Sequence, residues 1–242
     1  MSVKKPESEI ITHKTNALKS FEIYIDGLIA QDENGQKKAG LLCYWIDDYI
    51  RFLKKEITFN PKKSRKYKRG DIVKVHLGYR IGSEEGGLHY CVVLDKDNPL
   101  SSPVLTVVPL TSVKNASSVN ELPSDNVYLG NELYNLVFVK INTLLKTTEA
   151  MVNELSQNIG TFASNEVNEA KKRVDQLNKF VNEITKMKKG SIALTNQIVT
   201  ISKIRIYDPK SDDDILSGIK LSNTNLDKID EKILCNYTNS KQ

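Results

Sequence analysis

At 242 residues the chain is too long for one small barrel and suits one or two compact domains. Hydrophobic residues make up 39% and charged residues 27%, which excludes a disordered chain and leaves enough core to fold without disulfide or metal staples. The net charge of +5, from 35 Lys and Arg against 30 Asp and Glu, permits a polyanionic partner without establishing one. Three cysteines, Cys43, Cys91 and Cys235, are an odd count without metal-ligand spacing, so a reducing cytoplasm is expected rather than a disulfide framework. The N-terminal segment is charged and lacks an apolar core, so no signal peptide is expected. No run approaches the roughly 18 apolar residues of a membrane span. A soluble cytoplasmic protein is expected, and the glycosylation-like triplets at Asn115 and Asn236 then carry no meaning.

Residues 1 to about 12 read as frayed. The stripe Leu18, Phe21, Ile25, Leu28, Ile29 has helical spacing and predicts a helix broken by Asn34-Gly35. A second stripe, Leu42, Ile46, Tyr49, Ile50 and Leu53 with Trp45 beside it, predicts another helix ending before Pro61, and the two make a helical hairpin. Six of the eight residues from Lys62 to Arg69 are basic. Such a run is either a solvated linker or a phosphate-following segment in which Tyr67 stacks on a base.

After Gly70 the pattern alternates. Asp71 to Leu77, His89 to Leu94 and Val104 to Leu110 predict three strands divided by polar turns, with Pro109 marking an edge or a bulge. The pattern ends near Leu129. A stripe from Leu133 through Val137, Ile141, Leu144, Met151 and Leu155 to Ile159 is helical, is interrupted at Gly160 to Ser164, and resumes as Val167, Ala170, Val174, Leu177, Val181, Ile184. Strands return at Ser191 to Leu194 and Ile198 to Tyr207. A final helix is predicted over Thr224 to Tyr237, capped by Ser222 or Asn223. The expected fold is α+β: a small antiparallel barrel with N-terminal helices, a helical insertion at about 132–189 and a C-terminal helix. The expected domains are a helical extension with its basic linker over 1–66 and the interrupted barrel over 67–242.

The loop Gly82-Ser83-Glu84-Glu85-Gly86-Gly87 matches no phosphate-cradling pattern of nucleotide enzymes, and a plain hairpin loop accounts for its spacing. His89 follows it and is the side chain suited to moving protons near neutrality. His89 and Cys91 share a strand face, but no further ligands have recognisable spacing, so no metal or cofactor is expected.

Several of these runs, in order, carry a resemblance. Lys68-Arg69-Gly70-Asp71-Ile72-Val73, Gly82 to His89, Val92 to Asp97, Ser102-Pro103 through Pro109-Leu110-Thr111, then Asn196 to Ile201 with Lys203, and Leu226 to Asp230 together resemble the PemK/MazF toxins of bacterial toxin–antitoxin systems. The resemblance spans about 67–130 and 190–238. It implies an SH3-like barrel that dimerises, cuts single-stranded RNA without metal through 2′-hydroxyl attack, and is silenced by a cognate antitoxin. It also implies that an arginine follows the Gly-Gly-aliphatic step and works with a later threonine. Here the threonine is Thr111, and His89 stands in the arginine's place.

On this reading His89 shuttles a proton, Thr111 donates a hydrogen bond to the phosphate, and Glu84 serves as a base if it points inward. The RNA-facing surface is expected from Arg69, Arg80, Ser83 and Gln197. Arg69, Arg80, Lys203 and Arg205 are the candidates for permanent charge, which a histidine supplies only part of the time. Two alternatives stay open: a non-cutting RNA- or DNA-binding regulator on the same barrel, and a scaffold whose barrel is inert.

Overall fold

The computed structural model describes residues 5–114, 122–157 and 164–239. Two compact units divide it, Met1–Ile57 and Thr58–Gln242.

The first unit is a helical hairpin of α1 (Glu7–Ile29) and α2 (Glu33–Glu56). The first helix starts earlier than the frayed segment expected from the sequence, with Glu7 and Glu9 placing negative charge on its N-terminal dipole. The break also moves. It falls at Ala30–Asp32, because the Asp32 carboxylate accepts the Gly35 N–H at 2.8 Å and caps α2. Asn34 and Gly35 therefore lie in the first turn of a helix rather than in a turn between two. Gly35 is required there: a Cβ would stand 2.4 Å from the Leu28 carbonyl oxygen. Ile25, Leu28 and Ala39 form the small core, flanked by Phe21 and Leu42, while Leu18, Tyr49, Ile50 and Leu53 stay exposed.

The second unit is α+β, built on a seven-stranded antiparallel sheet. Its strands are β1 (Ile72–His76), β2 (Leu88–Val93), β3 (Val104–Ser112), β4 (Asn126–Tyr128), β5 (Ser191–Leu194), β6 (Val199–Ser202) and β7 (Ile206–Asp208). Strands β7, β1, β2, β3 and β6 pair in that order. The two outer strands β6 and β7 are joined only by the 3₁₀ turn Lys203–Arg205, so the sheet curls into a barrel. Ser202 Oγ accepts the Ile204 N–H and fixes that corner. The single strand expected over Ile198 to Tyr207 is thus two strands on opposite edges. Alternation fills the barrel with Val73, Val75, Leu77, Cys91, Val93, Leu105, Val107, Ile201 and Ile206.

Strand β3 serves two sheets. Its first half pairs with β6 through Val107, and its end pairs with β5 from Leu110 onward, with β4 beyond. Pro109, which has no N–H to give, sits between the two partners, opposite Cys91 of β2. It marks neither an edge nor a bulge but the handover from one partner to the next.

Helices α3 (Glu132–Gln157) and α4 (Ser164–Lys186) lie between β4 and β5. The expected interruption at Gly160 to Ser164 falls, up to Ser164, outside the described residues, as do Ile159 and the Asn115 triplet; Ser164 opens α4. The pair leaves and rejoins the sheet at one point, where Ser191 N–H donates to the Gly130 carbonyl and Leu129 N–H to the Ser191 carbonyl, both at 2.9 Å. Leu133, Val137, Ile141 and Phe180 pack on the outer sheet face of Ile72, Val92, Val108 and Leu110. Helix α5 (Asn223–Tyr237), capped by Ser222 through the Asn225 N–H, adds Leu226 and Ile229 to the same core. Glu183 of α4 ties the insertion to the barrel, accepting from Lys74 of β1 and Tyr90 of β2.

Half of the basic run is paired within the fold, while Lys62, Lys63 and Lys68 are exposed. Arg65 pairs with Asp212, Lys66 with Asp97 at 2.8 Å, and Arg69 with Asp230. Tyr67 is 2% exposed and donates its hydroxyl to the Pro209 carbonyl at 2.8 Å, so it packs in the barrel and does not stack on bases.

Candidate active site

The β2–β3 register pairs Cys91 with Pro109, Val92 with Val108 and Val93 with Val107. Continued by two residues, it sets His89 opposite Thr111. Both continue the alternation that points Cys91 and Val107 inward, so they share one sheet face at the rim of the barrel. Both line a cleft of about 210 Å³ with Ser112, Ser191, Lys186 and Lys188.

His89 is held at both ring nitrogens. Nδ1 lies 3.2 Å from the Leu110 carbonyl oxygen, and Nε2 lies 2.9 Å from Glu85 Oε1. A carbonyl oxygen only accepts, so Nδ1 carries a proton in this bond, and Nε2 is left to exchange one with Glu85. Each of the two side chains is only 25% exposed. Both ring nitrogens are thus engaged, and the imidazole ties the Glu85 carboxylate to the backbone of β3.

The glycine-rich loop delivers Glu85 to this position. Leu77 N–H donates to the Gly87 carbonyl and Gly87 N–H to the Gly78 carbonyl, closing the loop at its base. Gly86 approaches so closely that a Cβ would stand 2.9 Å from the Gly78 oxygen. Gln197, in the 3₁₀ turn Thr195–Gln197 between β5 and β6, then clamps the loop: its Oε1 accepts the Glu85 N–H and its Nε2 donates to the Ser83 carbonyl at 3.2 Å. Arg80, Ser83, Glu84, Glu85 and Gln197 line a second cleft of about 400 Å³. The Glu85–His89 contact links the two clefts.

The structure thus gathers His89 with Thr111, and Arg80 with Ser83, Glu84 and Gln197. Glu84 does not point at the histidine. It is exposed, with Arg80 NH1 3.7 Å away, and the neighbouring Glu85 holds the place assigned to it. Arg69 lies at the other end of β2, donating to the Leu94 carbonyl at 2.9 Å. Five residues of strand separate it from His89, about 17 Å. Lys203 is 5% exposed, donates to the Pro99 carbonyl at 3.2 Å, and sits beside Tyr67. Neither reaches the cleft. Arg205 is half-buried and donates to the His76 carbonyl at 2.8 Å. Cys91 is fully buried, and burial pushes its thiol up, which removes it as a nucleophile.

Residues 68–177 match the family model described as PemK-like, MazF-like toxin of type II toxin–antitoxin system. Over that segment, just under half of its length, the chain is similar to the PemK/MazF-like toxins. No curated protein matches it. The matched segment holds β1 to β4, α3 and part of α4, and therefore His89, Thr111 and the glycine-rich loop. Gln197, Lys186 and Lys188 lie beyond it. Sequence reasoning missed Glu85, Lys186 and Lys188. A signal for Glu85 was present, since it sits four residues before His89; nothing local marks the two lysines. Among the described residues no group of three or more His, Cys, Asp or Glu comes together as a metal site, and no helix is long and apolar enough to cross a membrane.

Proposed function

We propose that this toxin is an endoribonuclease that cuts single-stranded RNA at the His89–Thr111 cleft and that a cognate antitoxin protein silences it. The observation that carries this reading is the placement of His89 opposite Thr111 in one cleft, with Glu85 Oε1 2.9 Å from the imidazole Nε2.

The chemistry closes without water or metal. The 2′-oxygen attacks the adjacent phosphorus and its proton passes to the Glu85 carboxylate, which His89 Nε2 holds at Oε1. The bond from phosphorus to the 5′-oxygen breaks, and the Glu85 carboxyl returns the proton to that oxygen. The products are a 2′,3′-cyclic phosphate and a 5′-hydroxyl. His89 keeps Glu85 in place between the two transfers, and the Thr111 hydroxyl donates to a phosphate oxygen whose charge grows in the transition state.

Incubating the purified protein with mixed-sequence RNA in EDTA tests this. Fragments with cyclic phosphate ends are expected, and His89→Ala is expected to slow their formation by about 10²-fold or more, the scale of a positioned acid–base group. An alanine variant cutting at the parental rate removes His89 from the mechanism. A parental protein that binds RNA and never cuts it establishes the regulator instead.

A further inference from the structure

Metal-free phosphate chemistry requires fixed positive charge beside the phosphate, because two charges build on its oxygens as the new bond forms. The cationic groups of the loop and the ring are already offset. A protonated His89 faces the Glu85 carboxylate, and Arg80 faces Glu84. Arg69 is paired with Asp230, and Lys203 is buried at the far end of the barrel.

Lys186 and Lys188 are different. Lys186 closes α4 and Lys188 lies two residues beyond it, in the segment returning to β5. Both are exposed, both line the cleft that holds His89 and Thr111, and neither has an ion pair among the described residues. Met187 between them packs on the core shared by insertion and sheet, which fixes the backbone from which both lysines project. The ordinary role of Lys186 is to complement the C-terminal dipole of α4. That role does not extend to Lys188, which follows the helix.

We infer that Lys186 and Lys188 form a phosphate-binding subsite, so that the helical insertion supplies the fixed charge of the cleft. Its ligand is a phosphodiester of the RNA backbone, gripped without reference to base identity. The inference rests on the ribonuclease reading for its effect on rate but not for its effect on binding.

The test uses the full chain with Lys186→Ala/Lys188→Ala, the corresponding double arginine variant, and Lys171→Ala as a control on a separate groove of α4. Cutting is measured on RNA, and affinity on a 2′-O-methyl oligoribonucleotide that cannot be cleaved. The double alanine variant is expected to lose about 10²-fold or more in cutting, matching the loss of other transition-state charge donors. Its affinity should depend less steeply on salt, the slope of log K against log salt falling by about 1.4 for two lost contacts to a single strand. The arginine variant should keep cutting, and Lys171→Ala should behave as the parent. A double alanine variant that binds with the parental salt slope overturns the subsite. If the parent never cuts, the ribonuclease reading fails, and the salt slope still decides the subsite.

Discussion

Asp208 closes β7 with its carboxylate turned into the protein, where Oδ1 accepts the Leu216 N–H at 2.9 Å. Burial pushes its pKa up to about 6; the Leu216 bond opposes this, the carboxylates of Asp214 and Glu183 add to it, and Lys140 counters them. The folded state therefore holds a proton that the unfolded chain, titrating near 3.8, has already released. Stability from this group is fully present below about pH 4 and is lost as the pH rises toward 6. Ionising a carboxyl held at about 6 instead of 3.8 costs the folded state about 3 kcal/mol. Asp208→Asn removes the charge while keeping an oxygen for Leu216. Urea unfolding of parent and variant at pH 4, 5, 6 and 8 should show equal stability at the lowest pH and a variant more stable by about 3 kcal/mol at the highest. For a chain of this size that corresponds to a melting point higher by roughly 6–12 °C. Other carboxylates titrate in both proteins and cancel in the comparison. A difference between the two that does not change with pH refutes the argument that burial controls this carboxyl.

Two further outcomes follow from the same packing. Burial pushes the Glu183 carboxyl up, but the bonds from Lys74 and Tyr90 outweigh it and hold the group below its usual range. Glu183→Ala leaves both donors half-buried without an acceptor, and should lower stability by about 3 kcal/mol, read as a reduced urea midpoint with Glu183→Gln less affected. The exposed apolar side chains Leu18, Tyr49, Ile50 and Leu53 predict a homodimer. Light scattering should return about twice the 27.3 kDa chain mass, and a constant single-chain mass at all concentrations tested counts against it.

What the sequence made legible was periodicity, and what it hid was tertiary pairing. The helical stripes of α3, α4 and α5 and the alternation of β1 to β3 are properties of neighbouring residues, and each reappears as an element. The corner at Lys203–Arg205 is invisible because the apolar alternation of 198–207 runs unbroken through it; a single side-chain bond from Ser202 turns the chain there. The basic run from Lys62 to Arg69 looked free because its partners Asp212 and Asp230 lie about 150 residues downstream. Lys203 was read as RNA-facing for the same reason, since nothing local says that its stem packs beside Tyr67. At the site, His89 and Thr111 were legible through the motif that contains them. That Glu85 rather than Glu84 turns toward His89 was not legible, because the loop is gripped by Gln197 from a 3₁₀ turn more than a hundred residues away. The lysines of the cleft were unreadable because they terminate a stretch whose pattern speaks only of helix packing.

The two ends of the insertion meet at the backbone bonds between Leu129–Gly130 and Ser191. By connectivity it is a graft: cut at Gly130 and Gly190, the flanking strands β4 and β5 already lie side by side and a short turn would close them into a hairpin. By energetics it is nothing of the kind. Leu133, Val137, Ile141 and Phe180, each at most 5% exposed, would leave Val92, Val108 and Leu110 open to water, and at about 1.5–3 kcal/mol for each such side chain the loss rivals the whole stability of a domain. A shortened chain built on the barrel alone would therefore need a redesigned outer face before any activity of the barrel could be tested on its own.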